Sequence, residues 1–261
     1  MALQRKNPRI SNKRLNLFKP DLKTEKLHKV FKTVYEEKNG DWSAIKPELT
    51  KDKGFTPDLI RNLEFTHHLS SWSKDNDNLV TLFQKDKDAN SMRDIALMYN
   101  KANFIAKVKV VASSKKKNDK EAFALDRYKT LFHLEPTAML VNLIKDPQVP
   151  LLNNIIGANL AMVLERQPDF NLKTTSIYDL LKRKDVLKDV TQDSQEDTIN
   201  HLKIMQRITA VSPIADAIPV LYNSNLHTAF QISEIPQKRF KVLLKDKGLD
   251  DATLYQLHEN A

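Results

Sequence analysis

Prolines and small hydroxyl residues recur in this chain directly ahead of apolar residues spaced three and four apart. A proline sits without penalty at the first helical position, where its missing N–H would have had no partner. A Ser or Thr just before it can accept a hydrogen bond from one of the free N–H groups of the first turn. Such wording starts and stops helices at set places. "GFTPDLIRNLEFTHHLSSW" is the clearest instance. Thr56 can cap, Pro57 fits the first position, and Asp58 suits the positive end of the helix dipole. Leu59, Leu63, Phe65, Leu69 and Trp72 then form a broad apolar face. "EPTAMLVNLI" repeats the device with Pro136, and "TTSIYDLL" repeats it with Thr175 or Ser176. The expected fold class is all-α, a multi-helix array of short helices arranged as two helical subdomains. Four glycines in 261 residues support this, since tightly turned strands usually need more.

Apolar spacing predicts helices near residues 25–37, around 79–83, over "MRDIALMY", and near 121–133, 136–145, 150–166, 176–184, 194–211, 214–223, 226–233, 236–246 and 250–260. Ser91 with Asp94, and Ser176 with Asp179, match the capping-box spacing. "NKANFIAKVKVVA" stays open between helix and strand, because Lys107-Val108-Lys109-Val110 alternates. The polar, cationic "SSKKKNDKEA" reads as a linker. The expected organisation is a basic, flexible N-terminal arm over 1–22, a helical subdomain over 23–112, a lysine-rich linker over 113–121 and a second helical subdomain over 122–261.

The net charge of +9 is unevenly placed. Ten cations precede Thr33 against only Asp21 and Glu25, a surplus of +8, and the remainder is close to neutral. Arg5, Lys6, Arg9, Lys13 and Arg14 are the candidate residues for electrostatic docking, to an acidic partner or to nucleic acid. There is no apolar run of the roughly 18 residues that a membrane-spanning helix needs. The first residues lack the apolar stretch of a removable signal. The expected location is the bacterial cytoplasm, or release without a classical signal peptide.

Chemistry-bearing motifs are sparse. Zero cysteines exclude disulfides, thiolate metal sites and cysteine nucleophiles. The four glycines form neither G-x-G-x-x-G nor G-K-[ST], which excludes phosphate cradling by those motifs. His67 and His68 are adjacent, so on a helix they point about 100° apart and do not converge on one metal. "KDNDN" suggests a calcium loop but lacks its sharp-turn glycine and closing glutamate. Glu36-Glu37 and Asp246 with Asp250-Asp251 read as solvated helix ends. Met92, Met98, Met139, Met162 and Met205 read as core filling, and Trp42 and Trp72 as core anchors. The expectation is no catalytic residue, no cofactor and no metal.

Taken in order, several strings resemble the A component of bacterial Tc (toxin complex) insecticidal toxins, the virulence plasmid A and neuraminidase-like family. The similar region there is a helical part of the shell around the translocation channel. The strings are "GDWSAIKPELTKDKGFTPDLIRNLEFTHHLSSWSKDNDNLVTLFQ", "SMRDIALM", "LEPTAML", "QPDFNLKTTSIYDLL", "HLKIMQRITAVSP", "LHTAFQISEIPQKRF" and "ATLYQLHENA". Their order and approximate spacing agree over Leu27 to Ala261. The resemblance implies helical-shell architecture, a structural or delivery role in virulence, and toxin subunits, cargo or further copies of the chain as partners. It supplies no catalytic residue. The basic arm lies outside it, and no pore-forming segment accompanies it in this sequence.

Three functions therefore compete. The first is a non-enzymatic helical interaction module of a toxin or toxin-delivery assembly. The alternative is a nucleic-acid-binding helical protein that uses its basic arm. The third is an enzyme whose residues converge only in three dimensions.

Overall fold

A computed structural model describes residues 11–113 and 116–261. Sixteen α-helices and no strand lie among the described residues, so the chain is all-α. The chain divides into two compact units. One holds the described residues up to Met92 together with Lys107–Arg127, and the other holds Arg93–Ala106 with Tyr128–Ala261. The division runs through the helices α7 (Lys101–Val111) and α8 (Lys117–Leu134). The segment 113–121, read as a linker, thus passes into a helix from Lys117 onward.

The first unit contains α1 (Asn12–Asn16), α2 (Glu25–Glu37), α3 (Trp42–Lys51), α4 (Pro57–Ser73) and α5 (Asp77–Gln84). Side-chain caps open each of them. Ser11, Thr24, Asp41, Thr56 and Asn76 accept from Arg14, Leu27, Ser43, Leu59 and Leu79 N–H respectively. Each such cap contributes about 1 kcal/mol. Helix α2 ends where Asn39 and Gly40 turn left-handed, and Gly40 N–H reaches back to the Tyr35 carbonyl at 2.9 Å. A side chain at Gly40 would meet the Tyr35 ring at 3.3 Å, so glycine serves both the backbone and the packing. Lys74 and Asp75, both with φ of 56°, end α4 in the same way.

The core of this unit runs from Leu15, Phe18 and Leu22 through Phe31, Tyr35 and Trp42 to Ile45, Leu49, Ile60 and Leu63. Residues 11–22, read as part of a flexible arm, are therefore packed. The cause is in their own sequence: Leu15, Leu17, Phe18 and Leu22 interleave with the cations, and all four are buried. Thr66 Oγ1 donates to Asp21 at 2.8 Å, and Gln84 Nε2 donates to the Leu17 carbonyl at 3.2 Å, which fixes the segment against α4 and α5. Trp72 Nε1 donates to the Arg127 carbonyl, and the buried Arg127 guanidinium donates back to the Trp72 carbonyl. That places a cation on the negative end of α4.

The second unit is built on α9 (Pro136–Lys145), α10 (Asn154–Glu165) and α12 (Gln192–Val211), with α9 packed on α10 and α10 on α12. α6 (Met92–Met98), α11 (Ile177–Leu181), α13 (Ala217–Asn223), α14 (Ala229–Ser233), α15 (Gln237–Leu244) and α16 (Asp251–Glu259) complete the sixteen. The ambiguous "NKANFIAKVKVVA" is helix α7. Phe104 and Val108, four apart, are buried, while Val110 is 78% exposed, so the helical period outweighs the alternation.

Between α10 and α11 the chain runs from Gln167 to Ser176 without regular helix, and its backbone groups need partners. Side chains of the neighbouring helices supply them. Thr137, the second residue of α9, donates its hydroxyl to the Phe170 carbonyl at 2.8 Å and accepts from Leu172 N–H at 3.0 Å. Gln206 of α12 donates to the Leu172 and Thr175 carbonyls and accepts from Ile177 N–H. Lys173 reaches the Ser212 carbonyl beyond the end of α12 at 3.0 Å. Three strings distant in sequence meet here.

Two substitutions test this packing. Thr137→Val keeps the volume but leaves a buried carbonyl and a buried N–H unpaired, and lowers the unfolding free energy by about 2–4 kcal/mol, while Thr137→Ser retains most of it. Phe18→Ala, at a fully buried position, costs about 3–5 kcal/mol. Urea unfolding followed by circular dichroism reads both, and a loss below about 1 kcal/mol for Phe18→Ala would mean that the N-terminal segment does not pack.

Candidate functional site

Ionisable and aromatic side chains converge in the first unit where α1, α2 and α4 meet. Burial of Phe31 and Tyr35 turns one face of α2 inward and carries the phenol toward Arg14 and His67. Arg14 Nε donates to Tyr35 Oη at 3.0 Å, and Tyr35 Oη lies 3.0 Å from His67 Nδ1. Counting donors assigns the protons. Arg14 can only donate, so the phenol accepts from it and gives its own proton to Nδ1, the remaining partner in reach. Burial holds the Tyr35 phenol above its ordinary value, which keeps that proton in place. The second guanidinium branch of Arg14 donates to Ser71 Oγ, and Asp75 lies 3.7 Å from Arg14 Nε, a charge contact too long for a hydrogen bond.

Trp42 stacks on the His67 ring at 5.3 Å between centroids. Loss of water, and then the Arg14 charge and His68, push the His67 imidazole down to about 4, while Glu64 and Asp41 act weakly the other way. The ring is therefore neutral at physiological pH, with Nδ1 already occupied. A base that weak is poorly matched to proton abstraction near neutrality. The Ser71 hydroxyl accepts from Arg14. The hydroxyl that reaches the imidazole is the Tyr35 phenol, and burial holds its proton in place. The cluster joins three helices.

Among the described residues there is no group of three or more His, Cys, Asp or Glu that could hold a metal ion. The calcium-like "KDNDN" is used otherwise: Asp75 faces Arg14, Asp77 faces Lys13 at 3.9 Å, and Asn76 caps α5. His67 and His68 meet edge to face at 5.5 Å. Asp250 caps α16 through Thr253 N–H at 2.7 Å, and that hydrogen bonding holds its carboxyl low. Among the described residues no helix is long and apolar enough to cross a membrane.

The residues expected to dock electrostatically fall in two groups. Arg5, Lys6 and Arg9 lie outside the described residues. Lys13 is exposed beside Asp77, whereas Arg14 is half-buried in the Tyr35 network. Trp42 and Trp72 are buried, as are Met92, Met139 and Met205. Met98 is 40% exposed, and Met162 lines a surface groove, so neither is simple core filling. Ser176 caps α11 through Tyr178 N–H, but Asp179 pairs with Lys182, so no reciprocal box forms there. A reciprocal box does form at Thr228 and Gln231, opening α14. The T-x-x-Q spacing carried that signal.

Two grooves mark the second unit. One, of about 400 Å3, runs between α9 and α10 past Gly157, with Lys145 and Glu165 joined across it. The other, of about 480 Å3, is lined by Glu234, Ile235, Pro236, Arg239, Val242 and Leu243. Val242 is 75% and Leu243 51% exposed, because α15 buries Phe240 and Leu244 instead. The four-residue spacing of Phe240 and Leu244 signals this for Val242, which falls on the opposite side of the helix, while Leu243 lies at the edge of the buried face.

The His67 environment gives a pH signature. Its folded value lies below the ordinary 6.5, so the unfolded chain binds the extra proton first as pH falls. Stability is therefore greatest above about 6.5 and declines toward about 4 through this group. Relative to the parent, His67→Gln flattens that decline. By NMR the His67 ring shifts stay constant between about pH 5 and 8, and a midpoint near 6.5 would contradict the buried network.

A scan against protein-family models and searches of the curated proteins and of the solved structures found no match to this chain.

Proposed function

We propose that the chain is a non-enzymatic helical structural and interaction module of a bacterial toxin or toxin-delivery assembly, similar to the shell of the Tc toxin A component. One observation carries this reading: the strings that resemble the toxin shell coincide with the joints of the fold. "FTPDLI" opens α4 on the Thr56 cap, "EPTAML" opens α9, and "HTAFQ" opens α14 on its capping box. "EPTAML", "QPDFNLKTTS" and "HLKIMQRITAVSP" meet through Thr137 and Gln206. Residue types chosen to end, start and lock helices explain wording that carries no reaction.

The mechanism is contact. Capped and cross-bonded helices hold their exposed side chains in fixed positions, so a partner docks at little ordering cost. A nucleic-acid role for the arm would fall on Arg5, Lys6, Arg9 and the exposed Lys13, because Arg14 is committed to Tyr35 and Ser71.

Mixed with the other subunits of a toxin complex, the chain is expected to elute with them in size-exclusion chromatography with light scattering. A species that stays strictly monomeric and binds none of them would overturn the reading. A second check uses duplex DNA at low and moderate salt, where the module reading expects no salt-sensitive binding.

A further inference from the structure

The groove at α15 combines three features that seldom coincide on a surface with nothing to bind. Its walls are apolar, from Ile235, Pro236, Val242 and Leu243. Two of these are large side chains held well exposed by the burial of Phe240 and Leu244. The segment that forms one wall is cationic: residues 237–248 carry Lys238, Arg239, Lys241, Lys245 and Lys247 against the single carboxylate Asp246, and Arg239 itself lines the groove. Glu234 is the one acid that lines the groove. None of these five cations forms an ion pair among the described residues, and Lys241 lies instead over the Tyr255 ring of α16.

We infer that this groove is a docking site for an acidic segment of a partner protein that inserts an apolar side chain between Pro236 and the Val242–Leu243 edge and sets its carboxylates against Arg239 and its neighbouring lysines. The inference rests on the interaction-module reading and names the chemistry of one partner. Charge selects the occupant. Arg239 in the lining, on a helical segment with a surplus of cations, attracts a segment of opposite sign and disfavours a basic one. The basic residues before Thr33 of this same chain are excluded on that ground.

Shape separates the partner from other anions. A volume of about 480 Å3 receives an inserted side chain, as anchor pockets at interfaces do. A bilayer surface takes up the protruding ends of Val242 and Leu243 but leaves the hollow beside Pro236 unfilled. Nucleic acid needs hydrogen-bonding or stacking groups in the walls, and here they are aliphatic. Arg239, Val242 and Leu243 stand three and four positions apart on one helix face, so charge and anchor are presented together.

The test uses the full chain and a dye-labelled synthetic peptide in which glutamates flank a Leu–Phe pair, followed by fluorescence anisotropy. Saturable binding that weakens as salt rises is expected. Arg239→Glu lowers affinity about tenfold or more, and the double substitution Val242→Ser with Leu243→Ser lowers it by a similar factor. Both sites are exposed, so folding is unaffected. Lys53→Glu, the same charge reversal on the other unit, leaves binding unchanged. No saturable binding, or an equal loss in Lys53→Glu, overturns the inference. So does binding of phosphatidylserine vesicles or duplex DNA that Arg239→Glu abolishes while the peptide fails to bind. A dimer in light scattering that the Val242→Ser, Leu243→Ser variant dissolves also overturns it, since the occupant would then be a second copy. If the peptide fails but the chain still joins a toxin assembly, only this inference falls and the module reading stands.

Discussion

Helices as short as these leave a large share of backbone groups without helical partners, and satisfying those groups is the constraint on which the structure depends. Four N–H and four C=O groups are orphaned at the two ends of each helix, and a buried orphan costs about as much as a hydrogen bond is worth. Sixteen helices among the described residues multiply that demand. The chain meets it with side chains. Thr137 and Gln206 between them serve five backbone groups of the segment after α10. Arg93 donates to the last carbonyls of α10, and Arg127 does the same at the end of α4. Packing of Leu, Ile and Phe supplies the driving force, but these polar groups decide where each helix stops.

The helical class and most helix positions were legible because start signals and period act locally. Pro57, Pro136 and Thr228 announce their helices within a few residues. Long-range polar partners leave no such trace. Nothing near Thr137 in sequence shows that its hydroxyl belongs to Phe170 and Leu172, and nothing near Gln84 points to Leu17. The same limit applied to Arg14. Counting charges placed it in a basic arm, whereas its position is set by Tyr35, His67 and Ser71, which lie on other helices. The groove at α15 was half legible: the exposure of Val242 could be read off the helical period, but that of Leu243 and the hollow beside them depends on Ile235 and Pro236.

The Arg14–Tyr35–His67 network ties α1, α2 and α4 together through reactive residue types. A histidine, a tyrosine and an arginine within hydrogen-bonding distance would be notable in an enzyme cleft. Here the imidazole is held neutral by desolvation and by the neighbouring guanidinium, and its Nδ1 is taken by the phenol. The aromatic rings of Phe18, Phe31, Tyr35 and Trp42 close around the cluster. Such a site gains orientation from its hydrogen bonds and little reactivity from its surroundings.

The seat of residues 15–22 has a consequence for how the protein is made. The side chains of Leu15, Phe18 and Leu22 pack with α2 to α4, and the Leu17 carbonyl is joined to Gln84 of α5, 67 positions later. Synthesis proceeds from the N-terminal side, so Leu15, Leu17, Phe18 and Leu22 leave the ribosome well before their seat exists. For the seconds that elongation takes, a strongly cationic stretch bearing four uncovered apolar residues has to stay in solution. The interleaved lysines and arginines then act as gatekeepers against association, a task finished once Gln84 has emerged.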